Sequence, residues 1–329
     1  MLSYIIRRLL ILIPTVLILS VLVFIIIELP PGDFVTNYIL SKAVNGGSDT
    51  GEAVISNLRS IYGLDQPMYV RYLRWFGKFV TGDMGYSLHH QMSVNELVMK
   101  RLPMTMIVTL VSLLFTWIIA FPIGIYSAVR QYSPGDYVVS FFGFIGLSVP
   151  QFLFALVLMV ISSKYFDISI GGLFSRDFIV APWSAARVID LLQHLWIPMI
   201  VVGLSGTASL TRILRANLLD ELKKPYVDLA RARGLSEIRL IMKYPVRIAI
   251  NPFISSVGWI LPALVSGTVI VSVVLDLPTV GPLFLQALRA QDMALAGGLV
   301  MVMGFLTIIG TLISDVLLAI VDPRIRYDG

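Results

Sequence analysis

The 329 residues include no cysteine, which excludes a disulfide framework and thiolate metal sites. Histidine is almost as scarce, and His89, His90 and His194 form no ligand pattern with nearby carboxylates, so the sequence offers no metal site. Charge is also low: Asp, Glu, Lys and Arg make up 14% of the chain, against roughly 25% in a typical soluble domain. No G-x-x-x-x-G-K-[ST] run occurs, because Gly77-Lys78 lacks both the earlier glycine and a following Ser or Thr. The chain is therefore not itself a P-loop ATPase. No internal repeat relates its two halves, which counts against the inverted-repeat secondary transporters.

Apolar side chains, by contrast, are in excess, at 57% of residues with a mean hydropathy of +0.85. They collect in six runs: Leu9 to Ile27, Leu102 to Val129, Tyr137 to Ser163, Leu191 to Thr211, Ile248 to Leu275, and Met293 to Ser314, the last continuing past Asp315 to Val321. Each reaches the about 20 residues that a ~30 Å bilayer core requires. Lipid offers no partner to a backbone N–H, so runs of this length are helices and not strands. The expected fold class is an all-α membrane protein with six transmembrane helices. The first run follows Arg7 and Arg8 but ends in Glu28-Leu29-Pro30-Pro31-Gly32-Asp33 without a small-residue cleavage site, which reads as an uncleaved anchor.

Lys and Arg resist translocation and so mark the cytoplasmic side. Between Thr211 and Ile248 lie Arg212, Arg215, Lys223, Lys224, Arg231, Arg233, Arg239, Lys243 and Arg247, nine bases against four acids. That loop is expected in the cytoplasm, and six spans then put both termini there, in keeping with Arg7 and Arg8 at one end and Arg324 and Arg326 at the other. The net charge of +5 and pI of 9.4 are accounted for by this topology signal without nucleic acid. The chain divides into an anchor helix over 1–29, an extracytoplasmic segment over 30–101 and a five-helix core over 102–329, with the basic loop at about 212–247. Within the external segment Tyr69, Tyr72, Leu73, Phe76, Phe79 and Val80 recur at helical spacing. Asp65 is expected to cap that helix, with Pro67 in its first turn and Gly82 ending it. Asp315, a carboxylate inside a span, is expected to snorkel or to pair with Arg324 or Arg326.

The most informative stretch runs from Lys224 to Glu237. Pro225 is suited to a first helical turn and Gly234 to the left-handed residue that stops one, which predicts a short helix over Tyr226 to Arg233. Ser236 then caps a second helix running to Pro245, with Ala230 on a close-packing face. Such a knuckle can insert into a cleft on another protein. An ordinary basic loop against anionic lipid needs the charge but not the Pro and Gly punctuation, and local physics leaves both readings open.

The stretch resembles the EAA loop of the permease subunits of bacterial ATP-binding-cassette importers, in the dipeptide, oligopeptide and nickel branch. Tyr226, Val227, Ala230, Arg231, Ala232, Gly234, Leu235, Ser236 and Glu237 carry the match. Arg233 stands where Lys is common, Asp228 replaces the motif's glutamate, and Leu229 departs from its second alanine. The resemblance extends over nearly the whole chain, through Pro31-Gly32-Asp33, Gly63-Leu64-Asp65-Gln66-Pro67, Tyr69 to Trp75, Arg101-Leu102-Pro103, Ser148-Val149-Pro150, His194 to Pro198 and Asp322 to Tyr327. It is similar to the first, B-type member of two homologous permease subunits.

That resemblance implies a type I importer permease fold in the bacterial cell membrane. It implies a second permease subunit, two cytoplasmic ATPases and an external substrate-binding protein as partners. ATP and Mg would be bound by those ATPases, with no cofactor on this chain and no catalytic residue. The coupling residues it implies are Tyr226, Asp228, Ala230, Arg231, Ala232, Arg233, Gly234, Ser236 and Glu237. Pathway-lining residues are expected where Gly and Pro weaken helices: Ser148 and Gln151 on the third, and Ser255, Ser256, Ser266 and Thr268 on the fifth. Leu275 to Pro282 and Ala181-Pro182-Trp183-Ser184 depart from many peptide permeases, which leaves oligopeptides and oligosaccharides both open as cargo. Rival readings are a stand-alone channel or ion-coupled carrier, which would need more intramembrane charge, and a membrane anchor with no pathway.

Overall fold

The computed structural model describes residues 2–28, 65–166, 171–256 and 269–321. Helix α1 (Leu2–Glu28) is followed by α2 (Met68–Val80), a hairpin of β1 (Tyr86–Ser87) and β2 (Met92–Ser93), and α3 (Val94–Val129). Next come α4 (Pro134–Ser148), α5 (Gln151–Phe166) and α6 (Ala185–Leu222). Three short helices follow, α7 (Pro225–Ala232), α8 (Glu237–Lys243) and α9 (Pro245–Ala249), then α10 (Val269–Val274), α11 (Val280–Arg289) and α12 (Met293–Val321). The described residues are all-α apart from the hairpin, in which Tyr86 pairs with Ser93 and Ser87 with Met92, antiparallel.

Among the described residues, four helices are long and apolar enough to cross a membrane: α1 from Ile6, α3, α6 and α12. The third apolar run differs from the single continuous span the sequence suggests. It is broken between α4 and α5, whose axes meet at 103°. The cause is local: Pro150 has no N–H to continue the ladder and disfavours a helical Val149, which sits at φ −81°, ψ 124°. Pro150 then starts the next helix, its carbonyl accepting from Leu153 N and Phe154 N. Of the fifth run, α9, residues 251–256 and α10 are helical, while residues 257–268, including Ser266 and Thr268, lie outside the described residues. Residues 29–64, most of the expected external segment, and 322–329 lie outside them as well. The boundary expected at 101/102 falls inside α3, which runs unbroken from the hairpin into the apolar run.

The most extensive helix pairing is α3 with α6. A β-carbon at Gly203 would lie 2.6 Å from Phe115, so only glycine admits the observed approach of these two helices. Among the described residues the core falls into three clusters. One joins α3, α5, α6 and α10 around Ile197, Val201 and Leu275. A second joins the ends of α3 and α6 to α7 and α8 around Leu214, Leu218 and Leu240. The third packs the start of α3 on α11 and α12 around Val94, Leu283 and Leu299.

Helix α2 departs from the expected capping: Pro67 occupies the N-cap with no side-chain bond, so Asp65 does not cap it. Gly82 follows its end at φ +88°, as the sequence suggests. Its packed aromatics are Tyr72, Trp75, Phe76 and Phe79, while Tyr69, Leu73 and Val80 are exposed. Tyr72 and Trp75 lie against Phe24 of α1 with ring centroids 5.5 and 5.8 Å away, and Arg71 pairs with Glu28. At the other end of α1, Arg8 lies 3.1 Å from Asp315 of α12. Asp315 thus has a partner on the first helix, while the expected Arg324 and Arg326 lie outside the described residues.

Candidate functional site

Helix α6 is 38 residues long, about 57 Å at 1.5 Å per residue. It therefore outruns the bilayer core and carries its last turns beyond it. Lys223 ends α6, and Lys224, extended at ψ 143°, admits Pro225 as the first residue of α7. Arg233 closes α7, and Gly234 follows at φ +79° with its N–H bonded to Arg231 O at 3.0 Å. The predicted helix, glycine turn and helix are therefore formed, with α7 beginning at Pro225. Ser236 sits at the N-cap of α8 without a side-chain hydrogen bond, and α8 stops at Lys243, before Tyr244. The cap expected from Ser236 is thus only positional.

One face of this knuckle is buried and the other is open. Val227, Ala230, Leu240 and Ile241 join the cluster at the ends of α3 and α6, flanked by Tyr226 and Leu235. Asp228, Leu229, Arg231, Ala232, Arg233, Gly234, Ser236 and Glu237 are exposed. Arg231 braces the turn from outside: its Nε donates to Glu237 Oε1 at 2.6 Å and its Nη1 to Asp228 Oδ1 at 3.1 Å. The hydrogen bond from Arg231 holds the Glu237 carboxyl below its ordinary pKa. Tyr226 anchors α7 inward, its hydroxyl donating to Glu221 Oε2 at 2.6 Å. Burial, then that bond, pushes its phenol well above the usual range. The result is an exposed crest on a packed base, a shape that can seat in a groove without unfolding. Beside it, Phe121, Ile125, Tyr126, Ile238, Ile241 and Met242 help line an apolar cleft of about 390 Å³ between α3 and α8.

The other candidate residues are distributed as follows. Ser148 is exposed at the end of α4, and Gln151, the first residue of α5, donates from Nε2 to Ser205 Oγ of α6 at 2.5 Å. Ser255 is half-buried. Ser256 is fully buried, donating to Phe253 O at 2.6 Å and accepting from Trp117 Nε1 at 3.4 Å, so it faces the protein interior. The structure brings the residues expected to couple together in one knuckle and places Ser148 and Gln151 at the α4/α5 break.

Two polar networks have no pointer to their long-range partners in the sequence. Asp136, only 3% exposed, accepts from Arg215 Nε at 2.9 Å and Nη2 at 2.8 Å, from Ser127 Oγ and from Tyr132 N at 2.9 Å. Ser133 with an acid three residues on is a readable capping signal, but nothing local points to Arg215. Asp292, also buried, accepts from Ser87 Oγ at 2.5 Å, His89 N at 3.3 Å and Leu295 N at 3.1 Å, tying the hairpin to the start of α12. His90, which donates its N–H to Ser87 Oγ, is held below the ordinary histidine pKa by burial and by His89. Among the described residues no group of three or more His, Cys, Asp or Glu is arranged to hold a metal.

Similarity to known proteins extends over 99% of the chain. Residues 120–327 match the family described as binding-protein-dependent transport system inner membrane component. Residues 1–109 match the N-terminal part described for such components. The chain is 36% identical to the oligopeptide transport system permease protein AppB of Bacillus subtilis (strain 168), over 99% of this chain and 100% of that one. It is 29% identical to the oligopeptide transport system permease protein OppB of Haemophilus influenzae, again over 99% and 100%. It is 30% identical to the glutathione transport system permease protein GsiC of Salmonella typhi, over 99% and 100%.

Proposed function

Since this chain belongs to the binding-protein-dependent inner membrane components, as a permease subunit of an ABC importer and not an enzyme, we propose that the α7–α8 knuckle is its coupling element. Tyr226, Asp228, Ala230, Arg231, Ala232, Arg233, Gly234, Ser236 and Glu237 form it. The partners are a second homologous permease, two cytoplasmic ATPases whose bound ATP and Mg supply the energy, and an external binding protein that delivers cargo. The observation that carries this reading is a crest exposed on one side, cored on the other, and braced across Gly234 by Arg231 and Glu237. Nucleotide-driven closure of the ATPases would move the crest and, through α6, the spans, so that the permease alternates between two arrangements of similar energy.

The cargo is a short peptide. The relatives named above are oligopeptide and glutathione permeases, which favours peptides over oligosaccharides, and Ser148, Gln151, Ser255, Ser266 and Thr268 are uncharged groups suited to such a pathway. In the complex reconstituted with its binding protein, peptides of several residues should stimulate ATP hydrolysis, and oligosaccharides and nickel should not. Stimulation by oligosaccharides alone would reassign the cargo, and hydrolysis indifferent to the binding protein would remove the importer reading.

A further inference from the structure

Helix α6 touches both the knuckle and the residue just past the break between α4 and α5. Its last turns form the base of the knuckle through Leu214 and Leu218. Ten residues before Arg215, about 15 Å along the axis, Ser205 accepts the hydrogen bond of Gln151, just past the break. At Arg215 itself the guanidinium grips Asp136 in the first turn of α4 with two parallel bonds. Near the Gln151 end, Gly146 of α4 faces Leu204 and Ala208 of α6. The two helices thus run antiparallel, with a polar bond at the start of α4 and another immediately beyond its end.

The two kinds of contact respond differently to force. Apolar packing is non-directional, and helices held by it alone can shift relative to one another while keeping most of their contact. A two-pronged Arg–carboxylate pair has fixed geometry and tolerates little slip. Asp136 is held on its other side as well: Ser127 at the end of α3 and the N–H of Tyr132 in the turn use its remaining acceptor positions. Movement of α6 must therefore carry the α3–α4 turn and the start of α4 with it.

We propose that Asp136 and Arg215 are a positioning pair that conveys displacement of the knuckle along α6 into α4 and so to the break at Val149–Pro150, setting the state of the pathway there. This rests on the coupling function proposed above. Stability by itself gives no reason for an ion pair here, since a well-packed apolar pair would hold the helices as well or better. A directional link is what the pair adds.

The test uses the full complex of both permeases, the ATPases and the binding protein, reconstituted in vesicles with Asp136→Asn, Arg215→Gln, both together, or Arg215→Lys. Copurified ATPase, basal hydrolysis and cargo moved per ATP are read in each. The single neutral variants should retain bound ATPase and basal hydrolysis while cargo moved per ATP falls about five- to tenfold, the range of a modest coupling energy. The double variant should be no worse than either single one, because the pair acts as a unit. Arg215→Lys, which keeps the charge but loses the fork, should fall between. Unchanged cargo per ATP in assembled Asp136→Asn complexes would overturn the proposal. So would loss of ATPase from the Arg215→Lys complex, because the pair would then be holding the fold together. Gly234→Val separates the two ideas: if it leaves ATPase binding intact, the knuckle reading fails whatever the pair does.

Discussion

The Arg8 guanidinium, near the start of α1, lies 3.1 Å from the Asp315 carboxylate, near the end of α12. The same antiparallel register places Leu19 against Gly304 and Ile27 against Gly297, so the pair belongs to a seam that runs along most of both helices. Asp315→Asn should weaken the docking of α1 while leaving the rest of the fold in place. A double-mutant cycle with Arg8→Gln, read by thermal unfolding in detergent, should return a coupling of about 1 kcal/mol, reduced by the partial exposure of Arg8. Strict additivity would mean that the contact contributes nothing.

At Gly234 the substitution series is set by backbone conformation. A β-carbon there would meet no atom within 4 Å, so sterics with neighbours are not at issue. The φ of +79° costs a residue with a β-carbon roughly 1–2 kcal/mol, and a β-branched one more. Gly234→Val should insert into the membrane and pair with its permease partner, yet lose copurified ATPase and most uptake. Gly234→Asn should stay near wild type, because Asn tolerates the left-handed region. Equal losses for Asn and Val would show that conformation is not the cause.

A third expectation concerns sidedness. Val180 lies in the loop before α6 and is 91% exposed, and Ser236 is exposed in the knuckle beyond its other end. The absence of native cysteine makes single-cysteine labelling clean. Val180→Cys should react with an impermeant maleimide from outside intact cells, and Ser236→Cys only after permeabilisation. Reaction of both from outside would reverse or remove the assigned topology.

Asp292 supplies a fourth test, this time of stability. Its carboxylate is buried and accepts three hydrogen bonds that join the hairpin to α12. Asp292→Ala leaves donors without an acceptor, at a cost of about 2–3 kcal/mol, and should lower the unfolding temperature of the purified subunit. Asp292→Asn retains an acceptor and should cost less. An unfolding temperature unmoved by Ala would show that the network is not needed to hold the hairpin.

Sequence alone determined the features whose cause lies within a few bonds or within one helix length. Long uncharged runs dictate helices because lipid leaves the backbone no other partner, and four of them stand as long helices. Pro225 and Gly234 bound α7 because one locks φ and the other admits its positive range. The same local reasoning misjudged Asp65, since Pro67 took the cap position itself. It also expects Gly and Pro to weaken the third span around Ser148 and Gln151 without giving the 103° turn, which depends on where α4 and α5 dock.

Only the tertiary structure decided which distant side chains meet. Arg8 and Asp315 are separated by nearly the whole chain, Asp136 and Arg215 by 79 residues, and Gln151 and Ser205 by 54. Asp315 reads in sequence as a snorkelling charge, Arg215 as a loop base and Gln151 as a pathway polar group. Helix docking selects among those roles, because a polar group taken out of water must find a partner wherever packing has placed one.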